Sequence, residues 1–177
     1  MADRYTRTAV TLHWTVATLV ITGLCMGWIM TDMVTSPLKL QVFSWHKWIG
    51  ITVLALFFVR VLWRLTHPAP ALLPMPAWQR RAALFLHGFL YFMLLAQPIT
   101  GWLYSNAAGR AIVYLGLIPL PNLVGKDKAL AATFKQLHST GGLVLSIAVG
   151  LHLLAALKHH FFDRDDTLRR MLRWRTS

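Results

Sequence analysis

The chain has 177 residues, 56% of them hydrophobic and only 14% charged, with a mean hydropathy of +0.51. That excludes intrinsic disorder and argues against a soluble enzyme, whose chain carries about a quarter charged residues. The net charge is +12, yet few charges lie inside the apolar stretches, so the basic balance points to a membrane and not to nucleic acid.

Spanning a bilayer core takes roughly 20 apolar residues in a helix, at about 1.5 Å each. Four segments qualify. The first runs from near Thr8 to Met30. It follows Arg4 and Arg7, but its apolar run is too long for a signal peptide and no small-residue cleavage motif closes it, so it is expected to remain as a membrane helix. Within it, the lone Cys25 excludes a disulfide framework and reads as a small buried apolar residue. The second segment runs from near Trp45 to Leu65 and carries Arg60 and Arg64 in its last turns, where long side chains can snorkel to the interface. Thr66 to Trp78 holds four prolines and is expected to be a stiff, non-helical linker.

The third segment runs from near Ala82 to Tyr104; Pro98 should kink it, with Gly101 one turn on. Ser105 to Gln136 reads as the longest loop, and its apolar stretch Ala111–Leu120 is too short to span, so it is expected along the membrane interface. The fourth segment runs from near Leu137 to Phe162. Tryptophans gather near the segment ends, as an interfacial belt does. No internal repeat divides the chain, so residues 1–177 read as one domain.

Counting Lys and Arg by side orients the bundle. Arg4, Arg7, Arg60, Arg64, Arg80, Arg81, Lys158, Arg164, Arg169, Arg170, Arg173 and Arg175 fall on one side, with Asp3, Asp163, Asp165 and Asp166. Lys39, Lys47, Arg110, Lys126, Lys128 and Lys135 fall on the other, with Asp32 and Asp127. The bias of twelve to six places both termini in the cytoplasm. The fold class expected is all-α: an integral membrane four-helix bundle.

Eight histidines occur, several of them within apolar segments, where an ionisable side chain is costly and usually functional. His13 lies near the cytoplasmic end of the first segment and His46 near the outer end of the second. His138 begins the fourth at its outer side, and His152 lies toward its cytoplasmic end. Fourteen residues separate the last two, about 21 Å along a helix, and fourteen steps of about 100° return them to nearly one face. His46 matches the depth of His138, and His13 that of His152. A bis-histidine haem needs such a pair, and a porphyrin also needs room beside its ligands. Four residues on from each of the four stand Ala17, Gly50, Gly142 and Ala156. The same offset from His87, His159 and His160 gives Tyr91, Asp163 and Arg164, whereas His67 has Ala71 but lies in the non-helical linker. Depth, face and small neighbours together favour two haems over four structural histidines. Zinc fits poorly, since the pairs lie far apart without Cys or carboxylate partners. His67 belongs to the linker, His87 reads as a packing residue or a neighbour of the inner haem or a quinone, and His159 and His160 read as headgroup or solvent-facing. Arg60 and Arg64 could pair with inner haem propionates and Lys47 with outer ones; snorkelling explains all three equally well.

The segments RYTRTAVTLHW, SWHKWIGITVLALFFVRVLWR, KQLHSTGG and GLHLLAALKHHFFDRDDTLRRM resemble the prokaryotic cytochrome b561 family, from Arg4 to Met171. The resemblance implies a bacterial inner-membrane protein with two haem b groups, axially bound by His13 with His152 and by His46 with His138. It implies electron transfer to the quinone pool, with ubiquinone as acceptor and with superoxide or another periplasmic donor. The outer cations could steer a small anion or simply meet lipid headgroups. Two alternatives stay open: a cytochrome b anchor serving a separate dehydrogenase or protein redox partner, and a haem-free small transporter or structural bundle. All six acids lie outside the helical centres, which speaks against a proton-coupled transporter.

Overall fold

The computed structural model describes residues 4–172; Asp3, Arg173 and Arg175 of the charge count lie outside the described residues. Four long helices dominate it: α1 (Arg7–Asp32), α2 (Pro37–Thr66), α3 (Ala77–Ala107) and α4 (Lys128–Lys158). A π-helical turn at His159–Asp163 prolongs α4, and a one-turn helix α5 (Arg169–Leu172) follows.

Three of the four starts have a side-chain cap, and α3 begins after Pro76 without one. Thr6 Oγ1 accepts from the Ala9 amide, Ser36 Oγ from the Lys39 amide ahead of Pro37, and Asp127 Oδ1 from the Leu130 amide. These caps lengthen the helices beyond their most apolar stretches. α2 begins eight residues before Trp45, and α4 begins at Lys128, so the loop expected over 105–136 shrinks to 108–127. The proline linker is non-helical over 67–76, as expected. α3 stays one continuous helix through Pro98.

Consecutive helices pack side by side: α1 on α2, α2 on α3 and α3 on α4. α4 meets α1 only sparsely, so the side of α4 turned toward α1 and α2 is the open seam of the bundle. Between the two ends sits a small apolar core of Val16, Val20, Val53, Met93, Leu94 and Leu145. All four helices are long and apolar enough to cross a membrane, and only 6% of the most apolar window of α2 is buried inside the protein. The rest of that apolar surface, such as Leu62, Phe85 and Leu154, is left for lipid. Cys25 is exposed on this surface, not buried as the sequence suggested.

The 108–127 loop is ordered and folds over one end of the bundle, here termed the hairpin face. Val113–Tyr114 (β1) and Ile118–Pro119 (β2) pair antiparallel, with Val113 opposite Pro119. Leu115 (φ 54) and Gly116 (φ 72) both take the left-handed conformation in the turn. Two indoles bind the loop down: Trp48 Nε1 donates to Val113 O at 2.7 Å and Trp102 Nε1 to Pro121 O at 3.2 Å. Tyr114 reaches along α2 to Thr52, with 2.9 Å between the hydroxyls. At its root, the buried Asn106 accepts from the Leu123 amide and donates to Asn122 Oδ1. The opposite end, carrying Arg4 and Leu172, is the terminal face. There Trp14 Nε1 donates to Met171 O and Trp63 Nε1 to Thr6 Oγ1. The tryptophans therefore do more than mark an interface; four of their N–H groups tie segments together.

Candidate functional site

His138 and His152 project from one stripe of α4 into the open seam, with the buried Leu145 midway between them. His46 of α2 meets His138, their ring centroids 6.0 Å apart and their planes at 83°. His13 of α1 meets His152 at 6.2 Å and 64°. Two imidazoles bonded at about 2 Å to opposite sides of one iron have ring centres roughly 6 Å apart. Both pairs fit that spacing without rearrangement of the helices.

The shape around the outer pair fits a plate-like group as well. His46 and His138 line a cleft of about 610 Å³, its mouth included, with Phe43, Ile51, Trp102 and Ile112 as apolar walls. A Cβ added at Gly50 or Gly142 would meet nothing within 4 Å, so open space lies beside each histidine. Gly101 has the opposite role: a Cβ there would stand 2.8 Å from His138 Cε1, so the missing side chain lets the ring come close against α3. His138 Nδ1 lies 3.1 Å from Gln97 O and 3.3 Å from Thr100 Oγ1. Donation to that carbonyl puts the proton on Nδ1 and leaves the Nε2 lone pair for a metal, the arrangement second-shell partners usually impose. His46 Nδ1 is buried and closes no hydrogen bond, with the Gly23 backbone beside it.

The inner pair differs in one respect. An Arg60 guanidinium nitrogen stands 3.1 Å from His13 Nδ1, while Arg60 Nε donates to Tyr91 Oη at 3.0 Å. Guanidinium has no acceptor, so His13 Nδ1 here offers a lone pair and the ring proton sits on Nε2. That tautomer is the wrong one for ligation through Nε2, so a neutral His13 would have to part from Arg60 to hold iron there. His87, expected as a packing residue or a neighbour of the inner group, stands edge-on to His152 with centroids 5.2 Å apart. Arg64 is exposed and one turn further out than Arg60.

Two expectations about the remaining histidines change. His159 is not solvent-facing: its side chain is 15% exposed, and Nδ1 lies 2.6 Å from Asp165 Oδ2 and 3.0 Å from Asp163 Oδ2. Lys158 Nζ also reaches Asp163 Oδ2 at 2.6 Å, and the group closes the end of α4. His160 Nδ1 is likewise buried. The π-helical turn and left-handed Arg164 (φ 53) fold the acids back onto His159, which a charged run read as solvated surface does not reveal. His67 caps α2 and stacks on Trp63 at 3.9 Å.

The class so defined is a four-helix membrane bundle with two facing pairs of intramembrane histidines. The chain belongs to the prokaryotic cytochrome b561 family, whose model matches residues 4–174. It is 35% identical to cytochrome b561 homolog 2 of Escherichia coli K12 over 177 aligned residues, covering 96% of this chain and 92% of that one. Cytochrome b561 homolog 1 of the same organism is 31% identical, with 96% and 97% covered. A probable superoxide oxidase CybB of Yersinia pestis is 31% identical, with 97% of each covered. The protein is thus a haem-binding, electron-transferring, multi-pass protein of the bacterial inner membrane.

Proposed function

We propose that the protein carries electrons between two haem b groups, from a periplasmic donor to ubiquinone, with superoxide as the donor and both termini in the cytoplasm. The observation that carries this reading is the recurrence of one spacing, 6.0 and 6.2 Å, at two depths along a single stripe of α4. When bound, haem supplies one-electron chemistry. The remaining work belongs to the chain. His46 and His138 would hold iron near the hairpin face, and His13 and His152 near the terminal face. Because two histidines would hold each iron, a bound haem would leave no site for a donor on the metal, and the donor would meet the outer cleft lined by Lys47 and Arg110.

Lys47 and Arg110 line the outer cleft and no carboxylate does, which suits an anionic donor and raises its local concentration at low salt. The loop and its hairpin hold Arg110 and Ile112 at this cleft. The core around Leu145 is apolar and separates the two levels. Overall, two superoxide ions each give up one electron and leave as dioxygen, while ubiquinone takes up two electrons and two protons. The Yersinia pestis relative named a probable superoxide oxidase supports this choice of donor.

The test is a reduced-minus-oxidised visible spectrum of the purified protein with haem quantified per chain. Two low-spin b haems are expected, falling to one in His46→Ala together with loss of superoxide-dependent ubiquinol formation. Full superoxide:quinone activity in that variant refutes the route, and a single haem in the unsubstituted protein refutes one of the pairs.

A further inference from the structure

The terminal face holds a second cleft, of about 550 Å³ with its mouth included, and its lining has one sign of charge. Arg4, Arg60 and Arg64 line it with Tyr5, Trp63 and His67, and no carboxylate does. Arg60 is engaged with His13 and Tyr91, as described above. Arg4 and Arg64 have no hydrogen-bond or ion-pair partner among the described residues. One wall is fixed: Trp63 donates to Thr6 Oγ1 at 3.0 Å, and the His67 ring stacks on the indole with planes 2° apart. On the lipid side of the same helix end, Val59, Leu62 and Leu65 are exposed.

Unpaired guanidiniums at the edge of an apolar slab call for an anion, and the planar fork of arginine matches phosphate oxygens in pairs. Depth then narrows the anion. Arg64 stands in the last turn of α2 and Arg4 just ahead of α1, where headgroups begin. Basic pockets between membrane helices hold acidic headgroups in this way. Arg64 lies one turn outside Arg60, which is level with His13, so the outer half of the cleft is beyond the inner histidine pair. A quinone ring carries no charge to match these cations.

We propose that this cleft is a binding site for the phosphate headgroup of an anionic phospholipid, held by Arg4 and Arg64. The proposal rests on the membrane fold alone and not on the electron route. Each arginine near a membrane surface is worth roughly fivefold in affinity for an acidic lipid.

The haem-loaded protein in detergent, titrated with phosphatidylglycerol and followed by native mass spectrometry, tests it. Phosphatidylglycerol should bind in preference to phosphatidylethanolamine. Arg64→Gln should weaken that binding about fivefold and the double variant Arg4→Gln/Arg64→Gln about 25-fold, with haem per chain unchanged. Arg64→Lys, which keeps charge and stem, should lose less, and it serves if the Gln variants fail to fold. Unchanged lipid retention in the double variant overturns the site. So does displacement of the lipid by an equal concentration of inorganic phosphate, which would make it a free-phosphate site. Loss of haem with lipid binding intact would overturn it too, by assigning the guanidiniums to the inner haem.

Discussion

Gly101→Ala puts the proposed outer pair to a sharp test because one methyl group is aimed at one imidazole. The new Cβ would sit 2.8 Å from His138 Cε1, 3.2 Å from Nδ1 and 3.4 Å from Nε2. The ring cannot slide aside freely, since its Nδ1 is held to Gln97 O on the same helix. Overpacking of this kind costs about 1–3 kcal/mol, and a lost hydrogen bond adds about 1 kcal/mol. Alanine returns up to about 1 kcal/mol in a helix interior. The net of about 1–3 kcal/mol falls on the placement of His138, so affinity at the outer site should drop roughly 5- to 150-fold. Gly88→Ala is the control on the same helix, because an added Cβ there meets nothing within 4 Å. Haem per chain, from the pyridine haemochromogen spectrum after extended dialysis, should fall from two toward one in Gly101→Ala and stay at two in Gly88→Ala. Two haems and an unaltered spectrum in Gly101→Ala would refute the placement of His138 as a ligand.

Gly50→Ala and Gly142→Ala should separate folding from loading: the methyl meets no protein atom, so thermal stability without haem should hold or rise by up to about 1 kcal/mol, while the outer haem is lost. Unchanged loading in both would mean that no plate occupies the space beside these helices. Trp48→Phe removes the donor to Val113 O and should raise amide exchange at Leu120, which donates to Ile112 O across the loop, by about fivefold for a bond of about 1 kcal/mol; no change would mean the hairpin is held without the indole. Asp165 lies outside the spans. Burial works against its charged form, but the hydrogen bonds from Thr167 and the pairing with His159 prevail and hold the carboxyl below its usual range. A depressed folded value contributes stability that is present above the unfolded value of about 3.9 and is lost as pH falls through the folded one. The protection factor of the Thr167 amide, its exchange rate relative to the intrinsic rate at each pH, should therefore fall on acidification below about pH 4, and in Asp165→Asn it should be low and independent of pH across that range.

The four spans were legible because bilayer thickness and helix rise are fixed lengths. The same rise made the depths of His13, His46, His138 and His152 readable, and the heptad-like interval of fourteen placed two of them on one stripe. What hydropathy does not see is a helix that continues past its apolar stretch. Lys39, Gln41 and Ser44 hide the first turns of α2, although Ser36 followed by Pro37 is a start signal in plain view. Lys128 and Lys135 hide the beginning of α4 behind its Asp127 cap in the same manner. The hairpin was out of reach for another reason. Strands of two residues carry no period, and the turn puts Leu115, not only Gly116, in the left-handed region. The exposure of Cys25 went unread because a lipid-facing position and a core position select the same apolar residue.

The separation of the two histidine levels also sets an energetic condition on the proposed direction of transfer. His138 and His152 lie about 21 Å apart along α4, roughly two-thirds of a hydrocarbon core about 30 Å thick. The core between them, from Val16 and Val53 to Leu145, contains no ionisable side chain, so an electron can cross it while a proton has no group to rest on. Charge therefore moves uncompensated between the levels. At about 2.3 kcal/mol per elementary charge per 100 mV, two-thirds of the field costs about 1.5 kcal/mol for each electron passing toward a negative interior. The difference in potential between the two levels has to exceed that, and residues near each pair offer the means. Lys47 and Arg110 stand at the outer cleft, whereas Arg60 stands at the inner pair together with His87. Cations stabilise the reduced form of whatever they surround. The gradient that drives the electron inward is thus set by how these positive charges are divided between the two ends. The release of Arg60 from His13 is the one rearrangement among them that the proposed loading requires.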